Sequence, residues 1–141
     1  METSKNGIDL IKKFEGCRLQ AYKPTPDDVW TIGYGHTKNV KQGDNITQLQ
    51  AETLLMSDLQ IFEKEINKLN LNLTQNQFDA IICFVFNVGV AKFKKSTMLK
   101  FLEAGHYPLA AGQFDRWVYQ GKQKLSGLVK RRKAEKELFL S

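Results

Sequence analysis

Glu15 is the first residue whose setting could support chemistry. Ile8, Ile11 and Phe14 recur at helical spacing with Leu10 alongside, so residues 7 to 15 read as a short amphipathic helix. Asn6 is placed to cap it and Gly16 to end it. Glu15 then lies at the end of that helix, on its apolar side, just where the sequence pattern changes. Half-burial at such a junction disfavours the charged carboxylate, which suits a general acid working near neutral pH. Taken alone this is a weak signal, because most helix-end glutamates are simply solvated. Downstream, Pro24 and Pro26 precede Asp27-Asp28, and Val29 to His36 reads as strand and turn. Alternation would point Trp30, Ile32 and Tyr34 to one face and Thr31, Gly33 and Gly35 to the other. A threonine beside bare glycine backbone leaves a shallow surface for close approach by a ligand, unless those glycines only permit turns. His36 reads as structural, paired with a buried carboxylate, and His106 as a surface residue. Cys17 and Cys83 form no CxxC and no Cys/His spacing suited to zinc. They are read as inert small hydrophobes, and neither a metal nor a cofactor is expected.

The elements that must position these residues are mostly helical. Thr47 and Gln50 form a capping box, with Ile46 placed to staple onto Ala51. The helix that follows carries a stripe of Leu55, Leu59, Phe62, Ile66 and Leu69 and is expected to run to about residue 70. A second box, Thr74 to Gln77, opens a helix that is apolar nearly all round, from Phe78 to Val88, and should be central. Ser96 caps a short helix ended by Gly105, Pro108 sits in the first turn of another, and Ser126 is expected to cap a last helix to about Phe139. One small β region among many helices predicts an α+β fold.

Composition narrows the classes further. The chain has 141 residues, 42% hydrophobic and 26% charged, which fits one globular domain able to fold without disulfides. The charge-free run Ala80 to Ala91 is too short to cross a bilayer. The polar, acid-bearing start Met1 to Asn6 does not read as a signal peptide. Net charge is +6, and the stretch Lys122 to Glu137, with seven Lys or Arg against two Glu, supplies +5 of it. Such a pole favours polyanions, namely nucleic acid, head groups or acidic wall polymers, or is simply a solvated helix face.

Several separated strings then point one way. Phe14-Glu15-Gly16-Cys17-Arg18-Leu19-Gln20-Ala21-Tyr22 and Trp30-Thr31-Ile32-Gly33-Tyr34-Gly35-His36-Thr37 resemble the phage-type lysozymes, glycoside hydrolase family 24. The resemblance continues through Phe86-Asn87-Val88-Gly89, Ser96-Thr97 and Phe114-x-x-Trp117-Val118-Tyr119, and closes with Gly127-Leu128-x-x-Arg131-Arg132-x-x-Glu135. It covers nearly the whole chain in order. Within the family the sequence is more similar to the short endolysins of lambdoid-type phages and prophages than to T-even phage lysozymes.

The resemblance implies a single lysozyme-like domain. A small N-terminal β lobe (about 16–46) and a helical lobe (about 71–141, packed with the first helix) would be joined by a long helix (about 48–70), with a cleft between the lobes. It implies a muramidase that cuts the β-1,4 bond between N-acetylmuramic acid and N-acetylglucosamine in peptidoglycan. Glu15 matches the general acid, and Thr31 the residue that helps hold an attacking water, for hydrolysis with inversion. Tyr34, Phe86, Asn87 and Gly89 fall at substrate-binding positions. The family places an aspartate nine residues after the glutamate and six before the threonine; here those counts reach Pro24 and Thr25. Asp27 or Asp28, next along the loop, is the candidate replacement. Without one, three alternatives stay open: catalysis, full or reduced, by Glu15, Thr31 and a bound water; a lytic transglycosylase using a single glutamate; or an inactive glycan-binding relative. Arg131 and Glu135 read first as a structural ion pair under the cleft. The implied setting is a monomer held in the host cytoplasm until a membrane-permeabilising holin acts. The basic stretch lacks interleaved aromatics, so nucleic acid is not expected as a partner.

Overall fold

A computed structural model describes all residues, Met1–Ser141. In chain order it comprises α1 (Lys5–Glu15), β1 (Arg18–Tyr22), β2 (Thr31–Gly33), α2 (Gln48–Asn67), α3 (Gln75–Val88), α4 (Val90–Lys94), α5 (Thr97–Glu103) and α6 (Tyr107–Gln113). A 3-10 turn (Phe114–Arg116), a hairpin of β3 (Tyr119–Gln120) and β4 (Gln123–Lys124), and α7 (Ser126–Leu140) complete it. The strands form two separate two-stranded antiparallel sheets. No helix is long and apolar enough to cross a membrane.

Helix α1 starts earlier than the pattern around Asn6 implies, and Asn6 lies inside it. Ser4 is the residue at its N-terminal boundary. The reason is tertiary: Ser4 donates its backbone N–H (2.9 Å) and its hydroxyl to the fully buried carboxylate of Asp79 on α3. Thr3 likewise donates its N–H and its hydroxyl, both at 2.6 Å, to buried Glu63 of α2. Two buried acids thus clamp the start of the chain, and α1 lies so close to α3 that a Cβ on Gly7 would fall 2.8 Å from that of Asp79.

Both expected capping boxes form, at Thr47/Gln50 and Thr74/Gln77. Leu55, Leu59 and Ile66 of the α2 stripe are buried, with Phe62 and Leu69 packed at its edge. The helix ends at Asn67 and not near residue 70, because the chain turns through Asn70 at φ 52°. Every residue from Phe78 to Val85 is buried, so α3 is central, with α1 and α7 packed on it. Burying each such large side chain contributes roughly 1.5–3 kcal/mol. Phe84 meets Phe114 and Trp117 edge-on at 5.3 Å, tying α3 to the 3-10 turn. Ser96 caps α5 as its type suggests, accepting from Leu99 N–H. Ser126 does not cap α7; it is the first helical residue, and the boundary falls at Leu125 without a side-chain cap. The β3–β4 hairpin, closed by Gly121 (φ 61°) and Lys122, is not among the elements expected from the sequence.

In the β region, β1 pairs with β2 through Arg18↔Gly33 and Tyr22↔Thr31, with an irregular register between. On its other edge, Ala21 N–H and Leu19 C=O bond the returning segment at Asp44 and Ile46. The expected alternation after Trp30 does not hold: Thr31, Ile32, Gly33 and Tyr34 are all buried. The strand stops at Gly33 (φ 63°), and Ile32 and His36 then exchange both backbone bonds at 2.9 Å around a tight turn. Gly33 packs against Ala51 of α2, so its missing side chain serves helix packing and not an open face.

Candidate active site

Glu15 is the last residue of α1, and its side chain, 20% exposed, faces a cleft of about 300 Å³. Gly35 and His36 from the turn after β2, Asp58 and Phe62 from α2, and Phe86 from α3 complete most of its wall. Gly35 has φ 81°, and a Cβ there would stand 3.5 Å from Glu15 Oε2, so bare backbone lies directly against the carboxylate. Phe62 and Phe86 meet at 5.3 Å between ring centres and give the cleft an aromatic floor.

Behind Glu15 lies a chain of buried charge. Arg131 Nη1 donates to Glu15 Oε1 at 2.7 Å, Nε to Glu135 Oε2 at 3.1 Å, and Nη2 to the Cys83 carbonyl at 2.8 Å. Arg132 donates from Nη1 to Glu135 Oε1 at 2.8 Å, from Nε to the Trp117 carbonyl at 2.9 Å, and from Nη2 to Asn87 Oδ1. The alternating sequence Glu15–Arg131–Glu135–Arg132 leaves no charge buried alone, which is what a desolvated network requires. Burial opposes the Arg131 charge, but Cys83, Glu15 and Glu135 beside it raise its pKa overall. Burial is also the main reason Arg132 falls below the ordinary guanidinium value. The Cys83 thiol is pushed far up, chiefly by burial, and stays protonated.

His36 has the structural pairing expected of it. Nδ1 lies 2.9 Å from Asp58 Oδ2, a half-buried carboxylate, and Nε2 lies 3.0 Å from the Lys38 carbonyl. This pair fastens the turn carrying Gly35 to α2, and so fixes the wall beside Glu15.

Of the residues singled out from sequence, Glu15, Gly35, His36 and Phe86 share the cleft. Asn87 and Gly89 do not: Asn87 borders a separate hollow, and Gly89 (φ 93°) ends α3. Thr31 is buried beneath the turn and donates its hydroxyl to the Val29 carbonyl at 3.1 Å. Tyr34 is buried too, its hydroxyl accepting from Gln48 at 2.9 Å. Asp27 and Asp28 are exposed in the loop between the strands, and the Thr25 hydroxyl donates to Asp28 Oδ2 at 2.9 Å. None of these four lines the cleft. Sequence reasoning missed Asp58, Phe62 and the Arg131–Glu15 bond. Arg131 and Glu135 at i, i+4 were the one visible trace of the network.

A sequence profile of the phage lysozyme family matches residues 12–135. The chain belongs to the phage lysozyme family. It is 46% identical to the endolysin of Bacillus phage PZA over its whole length, but spans only 56% of that protein. It is also 46% identical to the endolysin of Acyrthosiphon pisum secondary endosymbiont phage 1, of which it covers 99%. Among solved structures, the muramidase domain of SpmX from Asticaccaulis excentricus superposes with TM-score 0.92 at 41% identity, covering 99% of this chain and 98% of that one. A mutant of the lysozyme of Salmonella phage P22 gives 0.90 at 40%, covering 100% and 99%. The fold is thus the lysozyme fold, and its Glu15 cleft lies within the residues the phage lysozyme profile matches.

Proposed function

We propose that this protein is a muramidase that hydrolyses the β-1,4 bond between N-acetylmuramic acid and N-acetylglucosamine in peptidoglycan, in the service of host-cell lysis. The observation that carries the reading is Glu15 itself: a carboxyl in an open cleft with an aromatic floor, held from behind by a buried guanidinium. Because Arg131 donates to Oε1, a proton on Glu15 belongs on Oε2, the oxygen beside Gly35. Oε2 then delivers it to the leaving glycosidic oxygen as the anomeric carbon gains oxocarbenium character.

Water attack from the opposite face completes an inverting reaction. Inverting enzymes hold two carboxyl groups roughly 6.5–9.5 Å apart to admit that water. Here Thr31 and either Asp27 or Asp28 would supply the second group. For Asp28 to do so, its bond with Thr25 must open and the loop must swing over the cleft. Phe86 and Asn87, with Gly89 ending α3 just beyond them and Tyr34 supporting the turn that carries Gly35, would hold the sugars. Asn87 has its oxygen engaged by Arg132 and keeps its two N–H donors for a sugar acetamido group.

The position of Asp27 and Asp28 outside the cleft favours a second reading, a lytic transglycosylase in which the sugar's own hydroxyl replaces water. Muropeptide mass spectrometry separates the two. Reducing N-acetylmuramic ends from the wild type, absent with Glu15→Gln, support hydrolysis. Anhydro ends, one water lighter, support the transglycosylase. Intact strands from both proteins would refute both readings in favour of a glycan-binding relative. The division into lobes at about 16–46 and 71–141, a monomeric state, and retention in the cytoplasm until a holin opens the membrane belong to the same proposal.

A further inference from the structure

The positive charge is placed differently from what its sequence pole implies. Arg131 and Arg132 are consumed by the buried network, and Lys136 is neutralised by Asp115 at 2.8 Å. Lys122, Lys124, Lys130 and Lys133 of the same pole form no ion pair, and further free cations gather on a neighbouring face. Lys92 of α4, Lys95 behind it and Arg116 of the 3-10 turn border one depression of about 520 Å³ around Trp117. No carboxylate lines it, and none of the three cations forms an ion pair. The nearest acid in sequence, Asp115, is committed to Lys136, and the neighbouring Lys94 to Glu65.

The depression shares part of its wall with a second hollow. Lys92 and Trp117 also border that hollow, which contains Asn87, the residue after cleft-lining Phe86. Tyr119 lies in that hollow too, and pairs across the hairpin with Lys124, another cation without an acidic partner. Unpaired positive charge therefore runs from α4 past Trp117 to the hairpin.

The lining suits one chemistry. Its other groups are hydroxyls, an amide and a single aromatic ring, which offers nothing to an acyl chain. One carboxylate would be outnumbered by three cations, whereas a chain of phosphodiesters sets successive negative charges along such a track. We propose that Lys92, Lys95 and Arg116, continued by Lys124, bind a phosphodiester-bearing polymer attached to the bacterial wall and so keep the protein on the strand it cuts. This rests on the muramidase reading for its setting.

The test uses the whole chain and two substrates, walls carrying a glycerol-phosphate polymer and the same walls stripped of it. At low salt the wild type binds the polymer-bearing walls more tightly, and the advantage shrinks as salt rises toward about 0.15 M. Lys92→Gln/Lys95→Gln/Arg116→Gln loses roughly tenfold in affinity for those walls, as expected for three exposed charge pairs. It digests stripped walls at the wild-type rate, which also shows that it is folded. A charge-matched variant, Lys41→Gln/Lys64→Gln/Lys100→Gln, keeps the advantage. Equal losses in the two triple variants would show that only net charge matters and overturn the site. Equal binding of the wild type to both walls would overturn it as well, as would duplex DNA binding as tightly as the polymer-bearing wall. Failure of the wild type to digest stripped walls would sink the muramidase reading alone, leaving the binding result to stand or fall by itself.

Discussion

Replacing Arg131 by methionine should cost this protein more stability than any other single change around the cleft. Methionine fills most of the arginine stem, so the loss is electrostatic rather than a cavity. Glu135, fully buried, loses the donor at 3.1 Å but keeps Arg132 at 2.8 Å. Removing one partner of a buried ion pair costs about 3–5 kcal/mol, and the remaining arginine places this case at the lower end. The Cys83 carbonyl, losing its 2.8 Å donor inside the core, adds about 1 kcal/mol. Glu15 faces the cleft and regains water, so its 2.7 Å bond adds little. The total is about 4 kcal/mol. That corresponds to a fall in Tm of roughly 14 °C for a chain of this length. Urea unfolding, with m fixed from the wild type, would register it as a midpoint lowered by roughly 2 M. Below the new midpoint, muropeptide release should also fall roughly ten- to hundredfold, because Glu15 loses the contact that orients it. A loss under about 1 kcal/mol would refute the network as described. So would full recovery with Arg131→Lys, whose ammonium cannot serve three partners in different directions.

Gly35→Ala should lose about 1–2 kcal/mol from its φ of 81° and, by crowding Glu15 Oε2, lower turnover more than substrate binding; a wild-type kcat would contradict that placement. Asp79→Asn leaves the Ser4 clamp short of an acceptor and should cost about 1–3 kcal/mol, read as increased amide exchange at the start of α1. An Ellman titration of the native protein should find one reactive thiol, half-buried Cys17, with Cys83 appearing only on unfolding; two native thiols would mean that the core around Cys83 opens.

Much of this molecule was legible because its signals are local. Both capping boxes, the cap at Ser96 and the apolar band of α3 follow from neighbours within a turn of each other, and each appears where those neighbours put it. Local reasoning failed where a distant group intervened. Asn6 is a good cap by type, yet Asp79, far along the chain, captures Ser4 instead. Ser126 is also a good cap by type, and its hydroxyl is not used as one. The alternation through Thr31 to Gly35 fails because α2 covers the strand and the turn closes on itself.

By itself, then, the sequence determined the helical framework, the lysozyme kinship and Glu15 as the residue to watch, since capping, periodicity and motif spacing are properties of short stretches. The tertiary structure alone decided what Glu15 touches. Arg131 lies 116 positions away and reaches Oε1 only because α1 and α7 both pack on α3. Asp58 likewise meets His36 only across the α2 contact. Spacing cannot reveal such pairs, because an ion pair depends on distance through space and on exclusion of water. Both are set by how the helices pack.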